Sequence, residues 1–150
     1  MRPCSFLTIL VLLGCVSPTA IAQGKFGHLK EWVGKYPTFN DFRPRREFLK
    51  LPEIKRLLLK LLSRDDYLFL TQTCGKEVPI EIIGDFLIVR RCDRYACGYG
   101  GGVVIVNLSD GAIHVAIMDE GDREQRWFST NGKHKELPFE VQLGFMVIKK

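Results

Sequence analysis

Apolar residues along this chain follow two different periods. From Ile54 to Leu62 they fall at Ile54, Leu57, Leu58, Leu61 and Leu62, while Glu53, Lys55, Arg56 and Lys60 occupy the other positions. The i, i+3, i+4, i+7, i+8 spacing predicts a helix with one apolar face. Pro52 suits its first position, where no N–H is needed, and Glu53 complements the positive end. The basic side reads as a solvated face rather than a binding patch.

From Tyr67 onward short β segments are expected instead. Residues 67–73 form a candidate strand, and 78–83 alternate Val78, Ile80 and Ile82 with Pro79 and Glu81. Pro79 places that segment at an edge or a strand start. Ile83-Gly84-Asp85-Phe86 predicts a two-residue hairpin turn leading into a strand that ends at Cys92. Val103–Leu108 and Ala112–Met118 join through Ser109-Asp110-Gly111, and Asp119 to Asp122 turns into a strand over 123–130 that Asn131-Gly132 ends. Successive hairpins predict an α+β fold: a central antiparallel sheet of about five strands in a meander, packed against helices. After Pro138, the strict alternation of Phe139, Val141, Leu143, Phe145 and Val147 favours a further strand.

The N-terminal third carries different signals. Arg2, the apolar run Phe6 to Val16, Pro18 and the small-residue site Ala20-Ile21-Ala22 read as a secretory signal peptide over 1–22, cleaved before Gln23. Leu12-Leu13-Gly14-Cys15 offers a competing lipobox, which would leave a lipid-anchored chain at Cys15. Residues 23–51 form an N-terminal arm interrupted by Gly34, Pro37 and Pro44, with a short helix near Gly27 to Val33 and Trp32, Tyr36, Phe39 and Phe42 as its packing residues. Residues 52–150 form the rest of a single domain. Loss of 22 residues from 150 leaves 128, enough for one core. The mature chain keeps 21 of the 22 basic residues against 17 acids, a balance of +4. That excess is too mild to argue for nucleic acid, and export makes such a partner foreign to its compartment.

Enzyme chemistry finds no template. His28, His114 and His134 lack zinc spacing, and no G-x-S-x-G elbow occurs. His114 alternates to the opposite face from Ile113 and Val115 and reads as a surface or structural histidine. Gly98 to Gly102 lacks the Lys-Ser/Thr of a phosphate loop, and Asp119, Glu120 and Asp122 match no complete calcium loop. No catalytic residue, metal or cofactor is expected.

The remaining feature is Cys92-Asp93-Arg94-Tyr95-Ala96-Cys97, which stands between two strands and before the glycine run. Its spacing excludes the C-x-x-C redox motif. Export permits disulfides, and Cys92 with Cys97 is the natural pair, closing a loop worth only about 2 kcal/mol of stability but holding a fixed shape. Cys74 would be left over, as a buried small hydrophobe. Arg94 and Tyr95 at the tip are residue types favoured as interface anchors.

Order and spacing of several segments resemble the Ivy family, inhibitors of vertebrate c-type lysozyme. The resemblance rests on Gly34-Lys35-Tyr36-Pro37, on Phe48-Leu49-Lys50-Leu51-Pro52 before the leucine-rich helix, and on Gly84-Asp85-Phe86-Leu87-Ile88-Val89. It continues through Cys92, Cys97 and Gly98, the turn ending Asp110-Gly111, and the strand Ile113 to Ile117. It implies a sheet packed against helices, with a C-terminal helix in place of the strand that alternation favours. It also implies a disulfide loop that plugs the target's cleft, where the family's loop Cys-Lys-Pro-His-Asp/Asn-Cys sets its histidine on two catalytic carboxylates. Here Asp93 stands for the lysine, Arg94 for the proline, Tyr95 for the histidine and Ala96 for the Asp/Asn. A phenol offers one O–H where imidazole offers two nitrogens, and Arg94 could supply a second, bidentate contact to an acid. Asp93 brings a negative charge toward a carboxylate pair, and the positive balance of the chain gives no steering toward a basic lysozyme.

The functional expectation is an exported, non-enzymatic binding protein, periplasmic or secreted. Its loop residues Asp93, Arg94, Tyr95 and Ala96, held by Cys92 and Cys97, enter the cleft of a c-type lysozyme or of an endogenous lytic glycosidase. The alternative is a non-inhibitory structural envelope protein on the same scaffold, reaching the membrane only if Cys15 is lipidated.

Overall fold

The structure, a computed structural model, describes residues 24–92, 100–118 and 125–146. The expected signal peptide, Gln23, Cys15, the loop from Asp93 to Cys97 and the turn at Asp119 to Asp122 lie outside the described residues.

The leucine pattern folds as read. Helix α1 spans Pro52–Leu61, with Ile54 and Leu58 fully buried and Lys55, Arg56 and Lys60 exposed. Ser63 then starts a second helix, α2 (Arg64–Leu68), which widens into a π-helical turn over Phe69–Thr73. Residues 67–73 are therefore helical, not a strand. Ser63 Oγ accepts the Asp66 N–H at 3.1 Å and donates to Asp66 Oδ2 at 2.7 Å, which closes the first turn. Thr71 Oγ1 bonds the Tyr67 carbonyl one turn back at 2.8 Å, and Leu70 is fully buried. Local capping and the burial of Leu70 override the β-forming composition of the segment.

Among the described residues six strands form an antiparallel sheet: β1 (Lys76–Glu77), β2 (Glu81–Ile83), β3 (Phe86–Cys92), β4 (Gly101–Asn107), β5 (Ile113–Met118) and β6 (Arg126–Ser129). From β3 to β6 neighbours follow chain order, as a meander requires, while β1 and β2 share the other side of β3. Pro79 lies in the gap between these two short strands, where it withholds no ladder N–H. The Gly84-Asp85 turn joins β2 to β3 with Gly84 at φ +57°, a conformation that favours glycine. Across the far end, Ser109 Oγ bonds Asp85 Oδ2 at 2.7 Å and ties two hairpin turns together.

Both faces of the sheet are covered. Leu87, Val89, Val104, Val106, Ile113, Val115 and Ile117 face one layer built from the arm, α1 and the turn at Leu70. Ile88, Val103, Ile105 and Ala116 face the other, packed by Leu137 and Val141. Burial of each such side chain is worth about 1.5–3 kcal/mol, so packing rather than β propensity fixes the register. Val141 belongs to helix α3 (Phe139–Met146), so the C-terminal segment is helical despite its alternation. Val141 is fully buried and Phe139 is 64% exposed, which a strand with both on one face would not give.

The arm is more structured than an extended segment, with 3₁₀ turns at Gly27–Trp32 and Phe48–Lys50. Trp32 and Phe48 are fully buried, and Phe42 packs on Trp32 with ring centroids 4.6 Å apart. Tyr36 and Phe39 do not pack inward: they are 42% and 74% exposed.

Candidate target-binding site

β3 and β4 pair in register from Phe86↔Asn107 to Cys92↔Gly101. The connection carrying Asp93, Arg94, Tyr95, Ala96 and Cys97 therefore leaves and re-enters the sheet at adjacent positions. Those five residues lie outside the described ones. What is described is the frame on which they stand.

That frame is braced by a charge inside the core. Alternation puts Arg91 on the face of Leu87 and Val89, and its side chain is only 7% exposed. Its Nη1 donates to the Leu70 carbonyl at 2.6 Å, and its Nη2 lies 3.3 Å from Glu77 Oε1. Glu77 sits opposite Arg91 on β1 and is 8% exposed. Its other oxygen, Oε2, accepts the Thr38 N–H of the arm at 3.0 Å. A single buried pair thus joins the loop's entry strand to β1, to the turn after α2 and to the arm. The sequence pattern carries the signal for it: an arginine on the buried side of an otherwise apolar strand requires a partner.

The return strand is fitted to this frame by glycine. A Cβ on Gly101 would stand 2.7 Å from the Arg91 carbonyl oxygen, and one on Gly102 would overlap Leu70 Cδ2. Part of the glycine run is therefore needed for close approach. At the same end of the sheet Gly101 pairs with Met118, and Arg126 of β6 reaches Asp66 of α2 at 2.7 Å. Arg90, on the opposite face from Arg91, pairs with Glu81 at 2.7 Å.

Two further chemistry-bearing residues are buried. His114 is 2% exposed, and its Nδ1 is 3.0 Å from Ser129 Oγ. Burial holds its pKa below the ordinary value of 6.5, with the charge of Asp110 opposing that shift and His134 adding to it. It is a structural histidine. Cys74 is buried and outside any disulfide, as a small hydrophobe would be. Among the described residues no group of three or more His, Cys, Asp or Glu side chains is placed to hold a metal ion.

The family model described as Inhibitor of vertebrate lysozyme (Ivy) matches residues 53–147, more than half of the chain. The chain belongs to the Ivy family. Comparison with curated proteins and with solved structures gives no significant match. The Ivy match covers α1, α2, the whole sheet, the Cys92–Cys97 segment and α3. The bracing pair Arg91 and Glu77 falls inside it, whereas the arm that Glu77 bonds precedes it. Among the described residues of this Ivy-family chain, no helix is long and apolar enough to cross a membrane.

Proposed function

We propose that this Ivy-family protein is an exported inhibitor, a binder and not an enzyme, that inserts the 93–96 loop into the active-site cleft of a c-type lysozyme or a related peptidoglycan-cleaving glycosidase. The observation that carries the reading is the buried Arg91–Glu77–Leu70 brace directly below the loop. A loop on a fixed base loses little freedom on binding, so its contacts convert more fully into affinity. The disulfide partner of Cys92 in this reading is Cys97. It is supported by Cys74, the third cysteine of the mature chain, being buried and outside any disulfide. Processing before Gln23 places the mature chain, with its arm over 23–51 and the remainder over 52–150, in the periplasm or outside the cell.

Tyr95 occupies the position of the family's histidine and bonds one catalytic carboxylate through its phenol, while Arg94 addresses the other as a charged fork. Asp93 disfavours a target whose carboxylates crowd the loop's first position. The test is binding and inhibition of a c-type lysozyme by residues 23–150 with the disulfide intact. Tight inhibition that the Arg94→Ala/Tyr95→Ala variant loses is the expected result. Affinity unchanged by that double substitution would sink the cleft-insertion reading. Gain of inhibition with Tyr95→His alone would move the native target to another glycosidase of the same envelope.

A further inference from the structure

Phe39 is the most exposed large hydrophobic side chain among the described residues, at 74%. It is not a loose loop tip. Asn40 Nδ2 donates to the Arg46 carbonyl at 2.7 Å and Asn40 Oδ1 accepts the Phe42 N–H at 3.3 Å, closing the segment from inside. Phe42 is gripped by Trp32 and by two cations, with Lys35 Nζ 4.2 Å and the Arg46 guanidinium 4.5 Å from its ring centroid. Arg45 lies over the outer face of this construction: its guanidinium is 5.0 Å from the Phe39 ring, and its Nε donates to the Thr38 carbonyl at 3.0 Å. An aromatic ring and a guanidinium are thus held together in water, with an open groove of about 520 Å³ beside them lined by Lys35, Tyr36, Phe39 and Asp41.

The position of this pair is set by the loop's frame. The arm runs antiparallel to the segment before β2, with Gly34 N bonded to the Ile80 carbonyl at 2.8 Å and Thr38 N bonded to Glu77 Oε2 at 3.0 Å. Each step from Gly34 to Thr38 therefore moves toward Glu77, which faces Arg91, next to Cys92. Phe39 follows Thr38 at the loop end of the sheet. Arg and aromatic side chains in one preorganised cluster have the composition of interface anchors.

We propose that Phe39, Tyr36 and Arg45 form a second contact surface that seats on the cleft rim of the same glycosidase, taking there an apolar side chain beside a carboxylate. This rests on the cleft-insertion reading. Its three residues lie on the arm, before the family match that begins at residue 53. A carboxylate answers Arg45, and an apolar side chain fills the groove between Tyr36 and Phe39.

Calorimetric titration of four forms against a c-type lysozyme and a panel of purified lytic transglycosylases tests it: native, Phe39→Ala/Arg45→Ala, Arg45→Glu, and Arg94→Ala/Tyr95→Ala. With the glycosidase that the native chain binds, the arm double variant is expected to raise Kd at least tenfold with an unchanged melting temperature, and Arg45→Glu alone to raise it at least as far, since it sets a like charge against the partner's carboxylate. Arm variants within twofold of native, alongside a loop variant that has lost binding, would overturn the second surface and leave cleft insertion standing. No binding of the native chain to any glycosidase in the panel would overturn both.

Discussion

Arg91 and Glu77 face each other across β3 and β1, with Nη2 3.3 Å from Oε1 and both side chains less than a tenth exposed. A buried pair of this kind adds little net stability over an apolar pair, but removal of one partner strands a charge. Glu77→Gln is therefore expected to destabilise the fold by about 3 kcal/mol. Arg91→Met should cost a similar amount, since it also strips the Leu70 carbonyl of its donor. The double variant is expected to cost less than the sum by about 2 kcal/mol, within the range of coupling for residues in contact. Urea denaturation of the four proteins measures this, and additive losses would show that the pair is not coupled.

Gly102 and Leu70 form the second tight contact under the loop. A methyl group at 102 overlaps Leu70 Cδ2, and Leu70 is fully buried, so one of the two must shift within the core. Gly102→Ala is expected to cost about 1–3 kcal/mol through overpacking. Leu70→Ala should cost about 2–5 kcal/mol on its own by opening a cavity. Combined, the new methyl partly fills the space that the leucine vacates, so the double variant should be more stable than the sum of the two losses predicts. Thermal melts of the three variants decide it; an additive result would place the overlap elsewhere.

How much of this was legible in the sequence depends on which force controlled each segment. The α1 stripe and the hairpin at Gly84-Asp85 were readable because a period of 3.6 and a turn glycine are local signals. Residues 67–73 were not, because their β-forming side chains yield to the Ser63–Asp66 cap, itself visible as a serine three residues before an acid. The C-terminal helix was hidden for another reason. Val141 is buried and Phe139 is exposed, so the alternation of apolar letters was not an alternation of buried faces. The family resemblance, not periodicity, pointed to helix there. At the candidate site, Cys92 and the glycines announced a loop, but the Arg91–Glu77 brace depends on β1 pairing beside β3, which no local pattern specifies.

His114 makes the stability of the fold depend on pH. It lies on the second face of the sheet, opposite Ile105 on β4 and Ser129 on β6. Its folded pKa is held below 6.5 by burial, so below that pH the unfolded chain binds more protons than the folded one. The stability contributed by neutral His114 is therefore complete above pH 6.5 and declines as the pH falls through the range beneath it. His114→Gln should flatten this part of the stability profile, and urea midpoints from pH 7.5 to 5 would test it. A profile of equal slope in native and variant would assign the pH dependence to other groups.

Val141 reports whether α3 holds the second face closed. It is fully buried and packs in one cluster with Ile88, Ile105 and Leu137. Val141→Ala is expected to cost about 2 kcal/mol, counting lost transfer energy and the cavity left behind. Phe139→Ala, at an exposed position of the same helix, should change stability by no more than about 0.5 kcal/mol. Equal losses at the two positions would mean that the helix buries its other side.

The cysteines offer a direct check on the loop's construction. Cys74 is buried and outside any disulfide, so a thiol reagent reaches it only when the surrounding structure opens. With Cys92 joined to Cys97, as proposed above, the folded mature chain presents no rapidly reacting thiol. Alkylation of residues 23–150 without reductant is expected to be slow in buffer, with one thiol labelled in denaturant. Reduction before denaturation should raise the count to three, and mapping of the unreduced digest should yield Cys92 joined to Cys97. Reduction should also weaken target binding more than it weakens stability, because so short a loop constrains the unfolded chain by only about 2 kcal/mol while fixing the shape of the contact surface. Two thiols that react quickly in the folded, unreduced chain would remove the disulfide, and with it the rigid tip on which cleft insertion depends.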